Sequence, residues 1–480
     1  MPRRLALVTC LGAAWQAGCS LAHPPQHTSI VASSLPKTTT IPPSWSTNAI
    51  AKDAVANDWL KSFRDPGLQA VVAEAIKNNL DLRQAAAKVE VARENVVIVG
   101  ARLQPQVSGV LGASGTHDTT QNSTASSREA YLGASWEIDV WGRLRAQRAA
   151  ARADFEAVEL DYAFAQQSLV ATTAKSWYLA IEMRRLVELS AQDVSLYEGL
   201  LKLAKIRAAA GRVATLDVVE ASASLNEAQS QLEKMRPLYN EARRNLETLI
   251  GRYPAGQIEV DSGFAPVPPP VQAGLPGTLL ERRPDLLAAE RQVLAAFRTL
   301  EASKLALLPS IVLTGEGGRL DDRLLSLLNL NPTLFRSAVQ IYVPIYQGGA
   351  LRAQIKISSA QQKQALAIYG NAALNAFREV EIALNNEGML GERLAHQQAA
   401  GKDRGEAVRL GRIKYEAGVI DMLSLLQLQT AQIETEIQIV QTVNSQLANR
   451  INLYLALGGS FDTPSGVTPP NTTGMSFQTP

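Results

Sequence analysis

The chain has 480 residues, 46% of them hydrophobic but only 5% aromatic, with a formal net charge of +2. Abundant Ala, Leu, Gln, Glu and Arg with so few aromatics favours long helices over an enzyme-like α/β core. The near-neutral balance gives no global attraction to nucleic acid, and four His with two Cys are thin stock for metal or redox chemistry.

In chain order, Arg3 and Arg4 form a basic start, followed by a short apolar run from Leu5 to Trp15 and the small residues Ala17 and Gly18. The run is too short for the ~20 apolar residues of a membrane span, so residues 1–18 read as an export signal. Ala17-Gly18-Cys19 resembles a bacterial lipoprotein cleavage site, in which the Cys becomes the lipidated first residue. Gln16 departs from that pattern, where a branched apolar residue is usual, and the alternative is an ordinary signal with an incidental Cys. Ser20 lacks the aspartate that resembles an inner-membrane retention signal. A covalent lipid on Cys19 is therefore expected, and no other cofactor. Residues 19–57, rich in Pro, Ser and Thr, read as an extended segment.

The remainder is written twice. Asp81 precedes Pro105 by 24 residues, as Asp285 precedes Pro309. VWGRLRAQ, with Gly142 and Arg145, matches QGGALRAQ, with Gly349 and Arg352. Gly142 to Gly211 spans 69 residues, and Gly349 to Gly418 also spans 69. The first unit is 58–251, with strands about 106–140, a long helix about 142–210 and a returning helix about 215–250. A Pro-rich link, 252–274, forbids helix. The second unit is 275–457, with strands about 310–345, a long helix about 349–417 and a returning helix about 421–457. Residues 458–480 read as a flexible tail.

Pro105 and Pro309, with Gly142 and Gly349, mark the changes between helix and strand. At ~1.5 Å per residue the long helices reach on the order of 100 Å and need support along their length. Phe155, Val158, Tyr162, Ala165 and Leu169 step by 3 and 4, as do Ile433, Ile437, Val440, Asn444, Leu447, Ile451 and Tyr454, which is a coiled-coil period. Gly211 and Gly418 close the long helices at hairpin tips, and Thr215 and Asp421 are expected to cap the helices that return. Helix pattern alone is equally that of a coiled-coil scaffold.

A scaffold has no use for the strands. Leu132, Ala134, Trp136, Ile138 and Val140 alternate with Gly133, Ser135, Glu137 and Asp139, and Val339, Ile341, Val343 and Ile345 alternate with Ala338, Gln340, Tyr342 and Pro344. One apolar face suits a transmembrane barrel or, alternatively, a small soluble sheet. Four strands cannot close an aqueous barrel, because an open edge in lipid is prohibitive, so membrane-spanning strands require several chains.

Together, WLKSFRDPGLQAVVAEAIKNN at 59–79, WEIDVWGR at 136–143, GLPGTLLERRPDL at 274–286 and PIYQGGALRA at 344–353 resemble the TolC-like outer-membrane factors, in particular the lipoprotein branch serving resistance-nodulation-division pumps. The resemblance covers about 60–460. It implies an α+β membrane protein with an internal two-fold repeat. Three copies would build a 12-stranded transmembrane β-barrel, four strands per chain, continuous with an α-helical periplasmic tunnel. It implies a homotrimer in the outer membrane, contacts with outer-membrane lipid, a periplasmic adaptor and an inner-membrane pump, and a passive role as exit duct of a tripartite efflux system. Alternatives are the exit duct of a type I secretion system, or a periplasmic adaptor or coiled-coil structural protein.

The family's resting tip is held by an Asp, a Tyr and an Arg. Counting from the tip glycines, Asp217 and Tyr415 fall at the first two positions, but Ile420 stands at the third; Arg212 is the expected substitute. Glu220 and Asp421 are further candidates for the periplasmic gate. The alternative for Asp217 is a solvated first-turn acid favoured by the helix dipole. No catalytic constellation, P-loop or metal-spaced His/Cys set is present, and Gly315-Glu316-Gly317-Gly318 reads as a strand-end turn or barrel packing rather than a phosphate loop.

Overall fold

The computed structural model describes residues 21–47, 58–120, 123–261, 263–321 and 334–459. The export signal, Cys19 and most of the tail lie outside the described residues. The helices are α1 (His27–Ser34), α2 (Trp59–Ser62), α3 (Pro66–Asn78), α4 (Leu80–Ala101), α5 (Arg143–Ala209), α6 (Thr215–Leu249), α7 (Pro284–Leu305), α8 (Ala350–Glu416) and α9 (Met422–Ala456). The strands are β1 (Gln106–Asp118), β2 (Ser123–Ile138), β3 (Ser310–Asp321) and β4 (Leu334–Tyr342). Both long helices have 67 residues and both returning helices 35. No described helix is long and apolar enough to cross a membrane.

The chain forms two compact units, and neither coincides with a sequence repeat. Strands of both repeats hydrogen-bond into one sheet, and each long helix runs through both units, so every unit draws on both halves.

The first unit holds the antiparallel sheet, ordered β1-β2-β3-β4. Its helical part packs through alanine: Ala146, Ala150, Ala153 and Ala157 of α5 and Ala288, Ala289 and Ala295 of α7 are buried, which lets backbones approach closely. The N-terminal segment is not extended throughout. Ile30 of α1 is 1% exposed and packs on Ala289, Val293 and Tyr369, and this burial stabilises a helical turn that composition did not signal. His27 Nδ1 lies 2.6 Å from Glu290, and the Ala22 amide donates to Glu301 at 2.6 Å. A Cβ on Gly370 would stand 2.3 Å from the Ser34 carbonyl oxygen, so only glycine admits the segment there.

The second unit is built round an aromatic cluster. Trp59 stacks on Tyr454 at 5.4 Å and meets Phe63 edge-on at 5.8 Å, while Phe63 is fully buried against Tyr178. Asp65 caps α3 by accepting from the Leu68 amide at 2.8 Å and also accepts from Trp177 Nε1 at 3.0 Å. The described residues of the Pro-rich link form no ladder, and side chains meet several of its polar groups. Buried Arg450 donates to the carbonyls of Pro268 and Pro269 and pairs with Glu387. Trp45 Nε1 donates to the Gly274 carbonyl at 3.1 Å, and Glu247 accepts the amides of Gly256, Gln257 and Ile258.

Candidate functional site: the two-faced sheet and the hairpin tips

The register settles which residues share a face. Gly109 opposes Leu132, Leu132 opposes Gly317 and Gly317 opposes Phe335; likewise Val107 joins Ala134, Trp136 joins Leu313 and Val339, and Ile138 joins Ile311 and Ile341. Directly paired residues point to the same side. One face therefore carries Val107, Leu111, Leu132, Ala134, Trp136, Ile138, Ile311, Leu313, Phe335, Val339 and Ile341. The opposite face is mainly polar: Gln106, Ser108, Ser135, Glu137, Ser310, Thr314, Glu316, Arg336 and Gln340 lie there, with Val110, Tyr131, Val312 and Tyr342 among them. The apolar face is uncovered: Leu111 is 87% and Phe335 83% exposed. The outer edges of β1 and β4 have no strand partner among the described residues. The glycines at 315–318 lie in the body of β3, not at a strand end, which corrects the turn reading. A Cβ on Gly318 would fall 2.5 Å from Tyr131 Cα, so its bareness serves close strand packing.

The junctions are built from local chemistry. Pro105 and Pro309 directly precede β1 and β3. Gly142 and Gly349 take φ of +84° and +88°, a region that suits glycine, and the long helices start at the next residue. Asp139 accepts the Leu144 and Arg145 amides at 2.9 Å, meeting free donors of the α5 N-terminus. Trp141 Nε1 donates to the Pro309 carbonyl at 2.7 Å, and Glu137 pairs with Arg143 at 2.6 Å.

Both hairpin tips close alike. Arg212 N donates to the Arg207 carbonyl at 2.9 Å and Val419 N to the Lys414 carbonyl at 2.8 Å, around Gly211 and Gly418 at φ of +67° and +75°. Thr215 is the first residue of α6 rather than its cap; Ala214 holds the cap position and makes no side-chain bond. Asp421 does cap α9, accepting the Ser424 amide at 2.9 Å, and bonds from Ser424 hold its carboxyl below the usual range.

Four helices meet behind these turns in one apolar cluster. Tyr197, Leu200 and Ala204 of α5, Ala221 of α6, Tyr415 of α8, and Met422, Leu425 and Leu426 of α9 are buried together. Tyr415 is 1% exposed, and its hydroxyl has no hydrogen-bond partner. Burial first, and then the charge of Asp217, push that hydroxyl's pKa up against the pull of Arg207. Asp217 is half-buried and makes no hydrogen bond to Tyr415. Arg207, which the residue pattern did not single out, makes the contact: it donates to the Tyr415 carbonyl and lies 4.7 Å from the centre of the Tyr415 ring. Arg212, the expected substitute, is exposed. The available signal was position: Arg207 is in the last turn of α5, where a cation suits the helix dipole. Glu220 lines a groove of about 420 Å³ between α6 and α9 with Ser224, Gln427, Thr430 and Glu434. No group of three or more His, Cys, Asp or Glu that could hold a metal ion occurs among the described residues.

Strand pairs that feed long helical hairpins, with one sheet face apolar, define the architecture of outer-membrane efflux channels. The outer membrane efflux protein profile matches residues 71–252 and 275–459, and the chain belongs to that family. It is 31% identical over 418 residues to the pyoverdine export outer membrane protein OpmQ of Pseudomonas aeruginosa, across 84% of this chain and 88% of that protein. It is 29% identical over 420 residues to the toluene efflux pump outer membrane protein TtgF of Pseudomonas putida, across 86% and 87%. The open state of the Neisseria gonorrhoeae MtrE outer membrane channel superposes with a TM-score of 0.80 at 26% identity, covering 92% of this chain and all of that one.

Proposed function

We propose that this chain is the outer-membrane exit duct of a tripartite efflux system, passive in itself and fed by a periplasmic adaptor and an inner-membrane pump. The observation that carries the reading is the sheet: four strands in register, one face apolar and exposed, both edges open. Lipid satisfies the face, and other copies satisfy the edges. In a row that runs up, down, up, down, β4 of one copy meets β1 of the next antiparallel, so copies close a ring without a break in pattern. Three copies give the 12-stranded barrel of the resemblance. The polar face then lines the water-filled lumen.

Lipidation at Cys19 is supported by the path of the chain just after it. Leu21 lies 3.1 Å from the position a Cβ would take on Gly142, at the strand-to-helix junction beside Trp141. A lipid two residues upstream would enter the bilayer where the apolar sheet face begins. The hairpin tips form the periplasmic gate, with Arg207 holding Tyr415 and with Asp217, Glu220 and Asp421 as neighbouring acids. The relatives' pyoverdine and toluene cargoes mark small organic solutes as the class to test first.

The test is assembly and conductance together. Purified from outer membranes, the protein is expected to run as a heat-sensitive trimer and to open pores in planar bilayers. A soluble monomer that leaves bilayers sealed would sink the proposal.

A further inference from the structure

The helices α5 and α9 run antiparallel along a polar seam within the second unit. Lys175 donates to Asn452 at 3.1 Å, Glu182 accepts from Asn444, and Tyr197 lies 3.4 Å from Thr430. Each step along α5 is matched by a nearly equal step back along α9. Lys175, Glu182, Asp193 and Tyr197 are separated by 7, 11 and 4 residues, so all four occupy one stripe of α5. Asp193 alone of the four makes no hydrogen bond to α9.

Opposite Glu182 and Asp193 the other wall supplies no free positive charge, since Arg450, the base that α9 carries before Asn452, pairs with Glu387 and donates to the Pro268 and Pro269 carbonyls. From Met422 to Asn449, α9 contains no Lys or Arg, and its only charged residues are Glu434 and Glu436. On α5 itself, Arg184 and Arg185 are taken by Glu188, and Arg184 also by the Val260 carbonyl. From α6, Glu227 adds negative charge beside Tyr197. On α8, Gly401 packs near Ile439 and Thr435, yet Lys402, Asp403 and Arg404 beside it are exposed; Glu392, Arg393 and His396, near the level of Gln446, are exposed as well. None of these bases forms an ion pair with Glu182, Asp193 or Glu436.

We propose that the α5–α9 seam is a proton-responsive joint, in which Glu182 and Asp193 take up protons as the surroundings acidify and so tighten the helices that carry the tips. Desolvation raises the Glu182 pKa to about 7 against a hydrogen bond from Asn444, and desolvation with the charge of Glu436 raises Asp193 to about 6. Both carboxyls thus bind protons more tightly in the folded seam than in the open chain. The stabilisation is greatest on the acid side and is lost as pH rises through the window up to about 7. A compartment open to the outside medium crosses that window.

The experiment is amide hydrogen exchange on the full-length, detergent-purified protein, corrected for intrinsic rates. Protection across 182–197 and 430–444 is expected to rise on the order of tenfold or more between about pH 8 and about pH 5. Glu182→Gln with Asp193→Asn keeps the shapes and the Asn444 bond and is expected to flatten the slope. Wild-type protection that is flat, or that falls in acid, overturns the proposal, as does a double variant that keeps the slope. Should that variant fail to fold, the infrared band of protonated carboxyl groups in the wild type near pH 6 decides, and its absence refutes the joint. The consequence for transport rests on the channel reading, but the exchange result does not. A flat slope in a conducting protein defeats the joint alone, and a steep slope in a protein that does not conduct defeats the channel alone.

Discussion

Replacing Leu132 with arginine tests the membrane reading at its centre. Leu132 is 65% exposed, sits on an interior strand and shares the apolar face with Gly109 and Gly317. It lies six residues before Ile138, the end of β2. At ~3.4 Å per residue and ~45° tilt, that is roughly 14 Å along a barrel axis, about the middle of a ~25 Å apolar band. A cation on the lipid face there costs ~2–4 kcal/mol per chain, and so ~6–12 kcal/mol for three copies sharing one barrel. The control is Ser135→Arg, on the same strand but on the polar face beside Gln106 and Thr314, with an expected change within about 0.5 kcal/mol. Heat-modifiable trimer in outer-membrane fractions is the assay. Leu132→Arg should abolish it and Ser135→Arg should leave it intact. Equal behaviour of the two variants would refute the two-faced argument, and the reverse order would put the buried side of the sheet on the polar face.

At the tips, Arg207→Ala removes a charged hydrogen bond and a ring contact, a loss of roughly 2–3 kcal/mol per chain, and should raise closed-state conductance in planar bilayers. Tyr415→Phe keeps the ring beneath Arg207 and should raise that conductance less than Arg207→Ala does; a leak as large as that of Arg207→Ala would make the hydroxyl the holding group. Cys19→Ser should eliminate incorporation of labelled palmitate while trimers persist, and label retained by that variant would exclude Cys19 as the anchor. Gly318→Val should cost assembled protein, since its Cβ would meet the Tyr131 backbone at 2.5 Å, whereas Gly315→Ala has open space and should be tolerated when assembly is measured the same way.

The sequence alone determined what depends on local rules. Glycine at positive φ and proline beside strands punctuate the chain, and such signals need no distant partner. The period of 3.5 marked long supported helices, and the period of 2 marked a two-faced strand. The duplication and the edge argument for several copies followed from counting. The tertiary structure decided the rest. Strand register across the two repeats fixed which residues share a face, because pairing is a long-range choice that a one-residue slip would invert. The helix at His27–Ser34 exists because Ile30 finds a buried place on α7 and α8, which composition does not reveal. The contact to Tyr415 comes from Arg207, since a side chain reaches across helices to whichever carbonyl and ring the packing presents. The same is true of the α5–α9 seam. Its carboxyls look like ordinary surface acids in the sequence, and only the packing that desolvates them raises their hold on a proton.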